Sequence, residues 1–423
     1  MAILQNETMK LDVSWVREQF PSLKRTVNGY PAAFLDGPGG TQVPGRVIDA
    51  VTEYLLKSNA NTGGAYVTSR ETDAMIADAR RAMADFLNCD PDEIIFGPNM
   101  TTLTFAMSRA IGRELGPGNE IVLTHLDHDA NVSPWRALEE TGATVRFVDV
   151  NEADCTLDMN DMSRKITSHT RLVAAGYASN AVGTINNAKE IVRLAHNSGA
   201  MAYIDAVHYA PHGPIDARAL DCDFLVCSTY KFFGPHMGVL YGKREHLKRL
   251  HPYKVRANTD AIPNRWEWGT LNHECIAGIA AAVEYLADLG RHSDAAVSSR
   301  REALLAAYSA IHGHEHGLMK RLISGLTNIP GLTLYGISDP SRFEQRCPTV
   351  AVRIQRHTPL ELATKLGERG IFTWDGNYYA LNLTERLDTE KDGGFLRIGL
   401  VHYNTEEEVD RVIEGLTEIV AGD

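Results

Sequence analysis

The residue in this chain best placed to do chemistry is a lysine that closes an apolar strand. In Phe224-Leu225-Val226-Cys227-Ser228-Thr229-Tyr230-Lys231, four apolar residues read as a buried strand and two hydroxyl residues end it. The amine follows, before two aromatics and a Gly234-Pro235 turn. Lysine is seldom buried without a partner. Where it is buried, lost solvation disfavours the ammonium, and the neutral amine becomes a nucleophile suited to a Schiff base. Upstream, Ala200 to Asp205 is a second apolar run, ending in a carboxylate. Ligands of parallel α/β sheets bind beyond the carboxyl ends of the strands. An amine for an aldehyde and a carboxylate for a pyridinium nitrogen form the minimum protein complement for pyridoxal phosphate. Taken singly, Lys231 also reads as a surface lysine and Asp205 as a helix N-cap.

Other strand ends carry polar groups. Gly97-Pro98-Asn99-Met100-Thr101-Thr102 joins a strand, Glu93 to Phe96, to a helix from Leu103 to Arg113. That arrangement suits a phosphate bound by Thr101 and Thr102, or an ordinary threonine cap. After the strand Glu120 to Thr124, His128 can stack on a flat ring or move protons. Asn180, past the strand Leu172 to Ala175, can donate to an oxygen on a ring edge. Ser228 and Tyr230 flank the lysine as candidate phosphate donors. Arg397, in the strand Phe395 to Leu400, suits a bidentate carboxylate contact or an exposed edge. His312, His314 and His316 stand together in a helical stretch that Gly313 is expected to interrupt. Their spacing of two puts alternate residues on different faces, so no metal centre is expected there.

These groups need a scaffold. From Glu93 to Leu240 strands and helices alternate, which predicts an α/β fold with a mostly parallel sheet and helices on both faces. A chain of 423 residues is too long for one ordinary core. After Pro330 the pattern shifts to short strands around one helix, an α+β arrangement. The expected division is a large unit over 26–280 and a small C-terminal one over 281–423, with 1–25 packing on it. A net charge of −12 argues against nucleic acid and anionic membrane partners. No apolar run is long enough to cross a membrane. Met1 to Glu7 has no basic or apolar leader character. The six cysteines are scattered without a CxxC pair, as in a reducing cytosol, so a cytoplasmic location is expected.

Taken in order, Asp127-His128-Asp129-Ala130-Asn131, Ser179-Asn180-Ala181-Val182-Gly183, Ile204-Asp205-Ala206-Val207-His208, Ser228-Thr229-Tyr230-Lys231, Trp268-Gly269-Thr270 and Leu396-Arg397 resemble the class V aminotransferases. These are fold type I enzymes of pyridoxal phosphate, and the resemblance is greatest to the cysteine desulfurase and selenocysteine lyase branch. It spans about Phe34 to Val420. It implies a Schiff base on Lys231, Asp205 on the ring nitrogen, His128 over the ring and Asn180 at the phenolate oxygen. It further implies phosphate held by Thr101, Thr102, Ser228 and Tyr230, with Thr270 reaching across a homodimer. Arg397 would take the substrate carboxylate. His208 stands where the desulfurases usually have glutamine, and Tyr230 where they have histidine. Their mobile loop carries a sulfur-accepting cysteine. Here the matching loop, Phe372 to Ala380, has Tyr379 in that place and Trp374 in place of an arginine. The resemblance therefore implies an amino-acid C–S lyase working by β-elimination without a loop persulfide. An aminotransferase, an epimerase or a non-catalytic binding protein are the alternatives.

Overall fold

A computed structural model describes residues 10–422. Met1 to Glu7, the segment of the leader expectation, lies outside the described residues. Seven strands form the main sheet: β1 (Ile94–Gly97), β2 (Glu120–Thr124), β3 (Thr144–Val148), β4 (Thr170–Gly176), β5 (Met201–Asp205), β6 (Phe224–Ser228) and β7 (Gly238–Gly242), in the order β1-β7-β6-β5-β4-β2-β3. β6, β5, β4, β2 and β3 run parallel, while β7 is antiparallel to both neighbours. Side chains alternate between the faces. Phe224 and Val226 enter the core on one face, and Leu225 and Cys227 the core on the other. Both faces are covered, which is why these strands read as continuous apolar runs rather than alternating ones.

The principal helices are α1 (Gly45–Lys57), α2 (Val67–Leu87), α3 (Met100–Ile111), α4 (Ala188–Asn197), α5 (His273–Ser293), α6 (Arg300–Leu326), α7 (Pro359–Glu368) and α8 (Glu406–Ala421). Asn99 caps α3 through Thr102 N at 2.8 Å. The helix therefore starts three residues earlier than the sequence suggests, and both threonines fall in its first turn. β7 passes directly beneath this turn. A Cβ at Gly238 would stand 2.4 Å from the Asn99 carbonyl carbon, so only glycine fits.

A second sheet, all antiparallel, runs β8 (Leu332–Tyr335), β9 (Thr349–Ile354), β11 (Phe395–Gly399) and β10 (Trp374–Gly376) in that spatial order. With α7, α8 and the end of α6 it encloses its own core. α6 is unbroken through Gly313, contrary to the sequence expectation. Glycine costs a helix about 1 kcal/mol, which packing at both ends outweighs. Leu304, Tyr308 and Ile311 enter the large core, and Leu318, Leu322 and Leu326 the small one. No described helix is long and apolar enough to cross a membrane.

Candidate active site

A cleft of about 590 Å³ opens at the carboxyl ends of β2, β4, β5 and β6 and at the start of α3. Each strand delivers one group to it: His128 after β2, Asn180 after β4, Asp205 at the tip of β5 and Lys231 just past β6. Lys231 Nζ donates to the carbonyl of Pro38, in the glycine-rich turn Gly37–Gly39 that folds over it. Burial, then the nearby Arg397 charge, pulls this amine from 10.5 to about 7, while Asp205 and Asp36 push the other way. Asp205 is almost fully buried, and Val207 N donates to its Oδ1 at 2.9 Å. Burial raises its carboxyl to about 6, partly countered by that backbone hydrogen bond and by Lys231.

His128 accepts from Ala130 N through Nδ1 at 3.0 Å, so the neutral ring carries its proton on Nε2. Burial, with Lys231 and Arg397 adding to it, lowers this ring to about 4. His208 is buried, with Nε2 3.1 Å from Thr349 Oγ1, and burial holds it far below the usual imidazole value. Ser228, Tyr230 and Thr101 line the cleft. Thr102 does not: it is exposed on the outer side of α3 with its N–H given to the cap. Of the two expected threonines, only Thr101 lines the cleft.

Arg397 is buried on β11, an interior strand, which removes the edge-strand reading. Its Nη1 donates to Asn180 O at 2.8 Å, and its guanidinium sits 4.0 Å from the Tyr378 ring centre. Burial lowers it to about 10. Its Nε and Asn180 Oδ1 are buried with no partner, so both still require one. Asn180 Nδ2 spends one hydrogen on Tyr378 O at 2.9 Å.

The loop from Phe372 to Ala380 is tied down by its backbone. Tyr378 and Tyr379 have φ of 56° and 59°, a left-handed conformation that side chains rarely adopt. Their carbonyls accept from Asn180 Nδ2 and, at 2.6 Å, from Asp129 N. The Tyr379 ring is 71% exposed and stacks on His128, centroids 5.4 Å apart. Trp374 closes the other side against Gly39, where a Cβ would meet its ring at 2.7 Å.

Thr270 is not in this cleft. It is exposed beside a separate hollow with Asn61, Thr62 and Asp73. Its loop is anchored by Glu267, which takes both Arg80 guanidinium nitrogens at 2.9 and 2.6 Å and Phe96 N at 2.9 Å.

Two carboxylates at the site are given no role by the sequence. Asp36 precedes the glycine-rich loop and is raised to about 6 by burial, with Oδ1 unpartnered. Asp127 lines the cleft, accepts from Gly176 N at 2.7 Å and Asn131 Nδ2 at 3.0 Å, and is raised to about 7 by burial. The signal for Asp36 is the unusual Gly-Pro-Gly-Gly that follows it.

The chain matches the family described as Aminotransferase class-V over residues 33–412. It is 32% identical to the aminotransferase-like protein FGM3 of Gibberella zeae over 96% of this chain and 98% of that one. It is also 32% identical to a cysteine desulfurase of an Enterobacter species, covering 97% and 99% of the two chains. Among solved structures, a cysteine desulfurase of Thermococcus onnurineus in its apo form superposes with a TM-score of 0.86, at 26% identity, over 99% of this chain and all of that one. With a family match across most of its length and a fold shared with cysteine desulfurases, this chain belongs to the class V aminotransferase family.

Proposed function

We propose that this protein is a pyridoxal-phosphate-dependent lyase that cleaves a β-substituent, in the first instance a C–S bond, from an amino acid. The observation that carries this is Lys231, an amine with a pKa near 7 beside the buried carboxylate of Asp205. The residues present fit the cofactor. The first turn of α3 opens on the cleft with Thr101, opposite Ser228 and Tyr230, and can hold a phosphate. Asp205 and His128 both line the cleft, where Asp205 would hold the ring nitrogen and His128 would cover the ring. Asn180 and His208 supply polar atoms at the ring edge. When bound, pyridoxal phosphate supplies an electron sink for the bonds at a substrate's α-carbon.

The protein's own steps derive from its protonation states. Lys231 Nζ, uncharged in a large fraction near neutrality, is the group that would hold the cofactor's aldehyde and move the substrate's α-proton. Asp205 as a carboxylate would hold a proton on the ring nitrogen of a bound cofactor. Arg397 can receive the substrate carboxylate on Nε, which has no partner of its own. Transfer of sulfur to a protein thiol has no support in the cleft. Five of the six cysteines are buried, and Cys275 is only partly exposed. Burial pushes the Cys347 thiol, which lies near His208, far from its reactive form. Tyr379 and Trp374 are expected to favour a larger or more apolar side chain than that of cysteine.

The division into units 26–280 and 281–423 belongs to the same reading; its boundary falls within α5, whose Tyr285 and Leu289 enter the large core, and α6 serves both units. A homodimer in which the Thr270 loop completes the neighbour's site, and a cytoplasmic location, belong to the same reading. The test is to supply cysteine and S-substituted cysteines and to assay sulfide or thiol, pyruvate and protein-bound sulfur. Pyruvate with free sulfide or thiol and no persulfide is expected, and Lys231→Ala should abolish it. A persulfide formed at catalytic rate and lost in one Cys→Ser variant would overturn the reading. A keto acid that retains the β-substituent would mean transamination instead.

A further inference from the structure

The histidine cluster on α6 is divided by the helix, and a carboxylate from another element completes it. His314 turns inward, its Nε2 2.9 Å from Asn404 O. His312 and His316 are one turn apart, about 40° around a helix of 3.6 residues per turn, and so share a face. Glu344, in the short 3-10 turn Pro340–Gln345, meets both. Its Oε2 is 3.0 Å from His312 Nε2 and its Oε1 3.6 Å from His316 Nε2. The three ligand atoms all lie within 4.8 Å of one another.

We propose that His312, His316 and Glu344 form a divalent transition-metal site, suited to Zn²⁺, outside the active site. Two imidazoles and one carboxylate are a zinc donor set, with a fourth position left to water. At Zn–N and Zn–O distances of 2.0–2.2 Å, tetrahedral ligands stand about 3.3 Å apart, so the cluster needs only a modest contraction. The movable members can supply it: the side chains of His312 and Glu344 are 53% and 61% exposed. The fixed member is His316, 18% exposed and set edge-on to Phe343 at 6.3 Å between centroids. Lys320 is the charge that opposes a cation here.

The ion would bolt α6 to the turn at 340–345. That turn is stitched in its own right to the segment after Asn180: Ile185 N donates to Gln345 O at 2.9 Å, and Arg346 Nη2 to Val182 O at 3.2 Å. The site is therefore a structural clip between the long helix and the wall of the cleft. Its ligands do not take part in the proposed lyase reaction, so the two readings can fail independently.

The probe is Zn²⁺ alone, titrated into the untagged protein as isolated, against a chromophoric chelator. One equivalent per chain is expected, with a rise in unfolding temperature. His312→Ala, His316→Ala and Glu344→Gln should each weaken binding about tenfold or more, at least the loss typical of removing an outer-sphere partner. His251→Ala, at an exposed histidine elsewhere, should leave it unchanged. His312→Ala sits at an exposed position, so a loss there is not a folding defect. Absence of a bound equivalent in the parent protein, or binding that persists unchanged in the His312 and Glu344 variants, would overturn the proposal.

Discussion

The protonation of Lys231 gives the site its sharpest test. With a value near 7, about half of this amine is uncharged at neutral pH, against roughly one molecule in 2,500 for a lysine at 10.4. That is a gain of about a thousandfold in reactive form. A weaker base is also a weaker nucleophile, and with a Brønsted slope like the ~0.45 of thiols the net advantage is about fortyfold. The assay is reductive methylation of the apoprotein with formaldehyde and cyanoborohydride over pH 5–11, read at each lysine by mass spectrometry. Lys231 should be labelled with a midpoint near 7, while exposed lysines such as Lys57 rise only toward 10. The charges around it predict how the midpoint moves. Arg397→Gln removes the largest charge acting to lower it and should raise the midpoint, whereas Asp205→Asn should lower it further. A Lys231 profile that tracks the surface lysines, or a midpoint indifferent to both substitutions, would refute the reasoning from burial.

Asp127, ordinary when unfolded and raised to about 7 by burial, must cost the apoprotein stability as pH climbs from about 4 to 7. The full cost is roughly 4 kcal/mol at ~1.4 kcal/mol per pH unit of difference, and Asp127→Asn should flatten this slope in thermal melts. Thr270→Val should leave the isolated fold intact yet weaken cofactor binding by the ~1–3 kcal/mol of an unmet hydrogen bond, as followed by equilibrium dialysis. A fully active monomer in sedimentation would refute the composite site behind that expectation.

Much of the site is legible in the sequence because strand ends have a fixed meaning in an α/β sheet. The apolar runs closing on Asp205 and Lys231 place both groups at one edge of the sheet, and His128 and Asn180 obey the same rule. What stays hidden depends on segments distant in sequence. Asp36 enters the site only because β11 and the loop at Gly37–Gly39 pack together, and the burial that shifts it has no local signature. Thr102 falls outside the cleft because of a helix boundary, since the cap is Asn99 rather than a threonine. Glu344 cannot be paired with His312 and His316 from sequence, because only the folded chain brings the turn to the helix. Gly313 misleads because local propensity is weaker than the packing of Tyr308 and Leu318 on either side of it.

The pinned loop at Tyr378 and Tyr379 separates shape from identity. Its path is set by carbonyl oxygens bonded to Asn180 and Asp129, groups that any amino acid at 378 or 379 would present. The exposed side chain at 379 is therefore a replaceable tip on a fixed mount. Exchanging it can alter what is accepted over His128 without rebuilding the cleft, and glycine or asparagine there would even relieve the left-handed backbone. A lineage could trade chemistry at this one position while every other residue lining the cleft stays where it is.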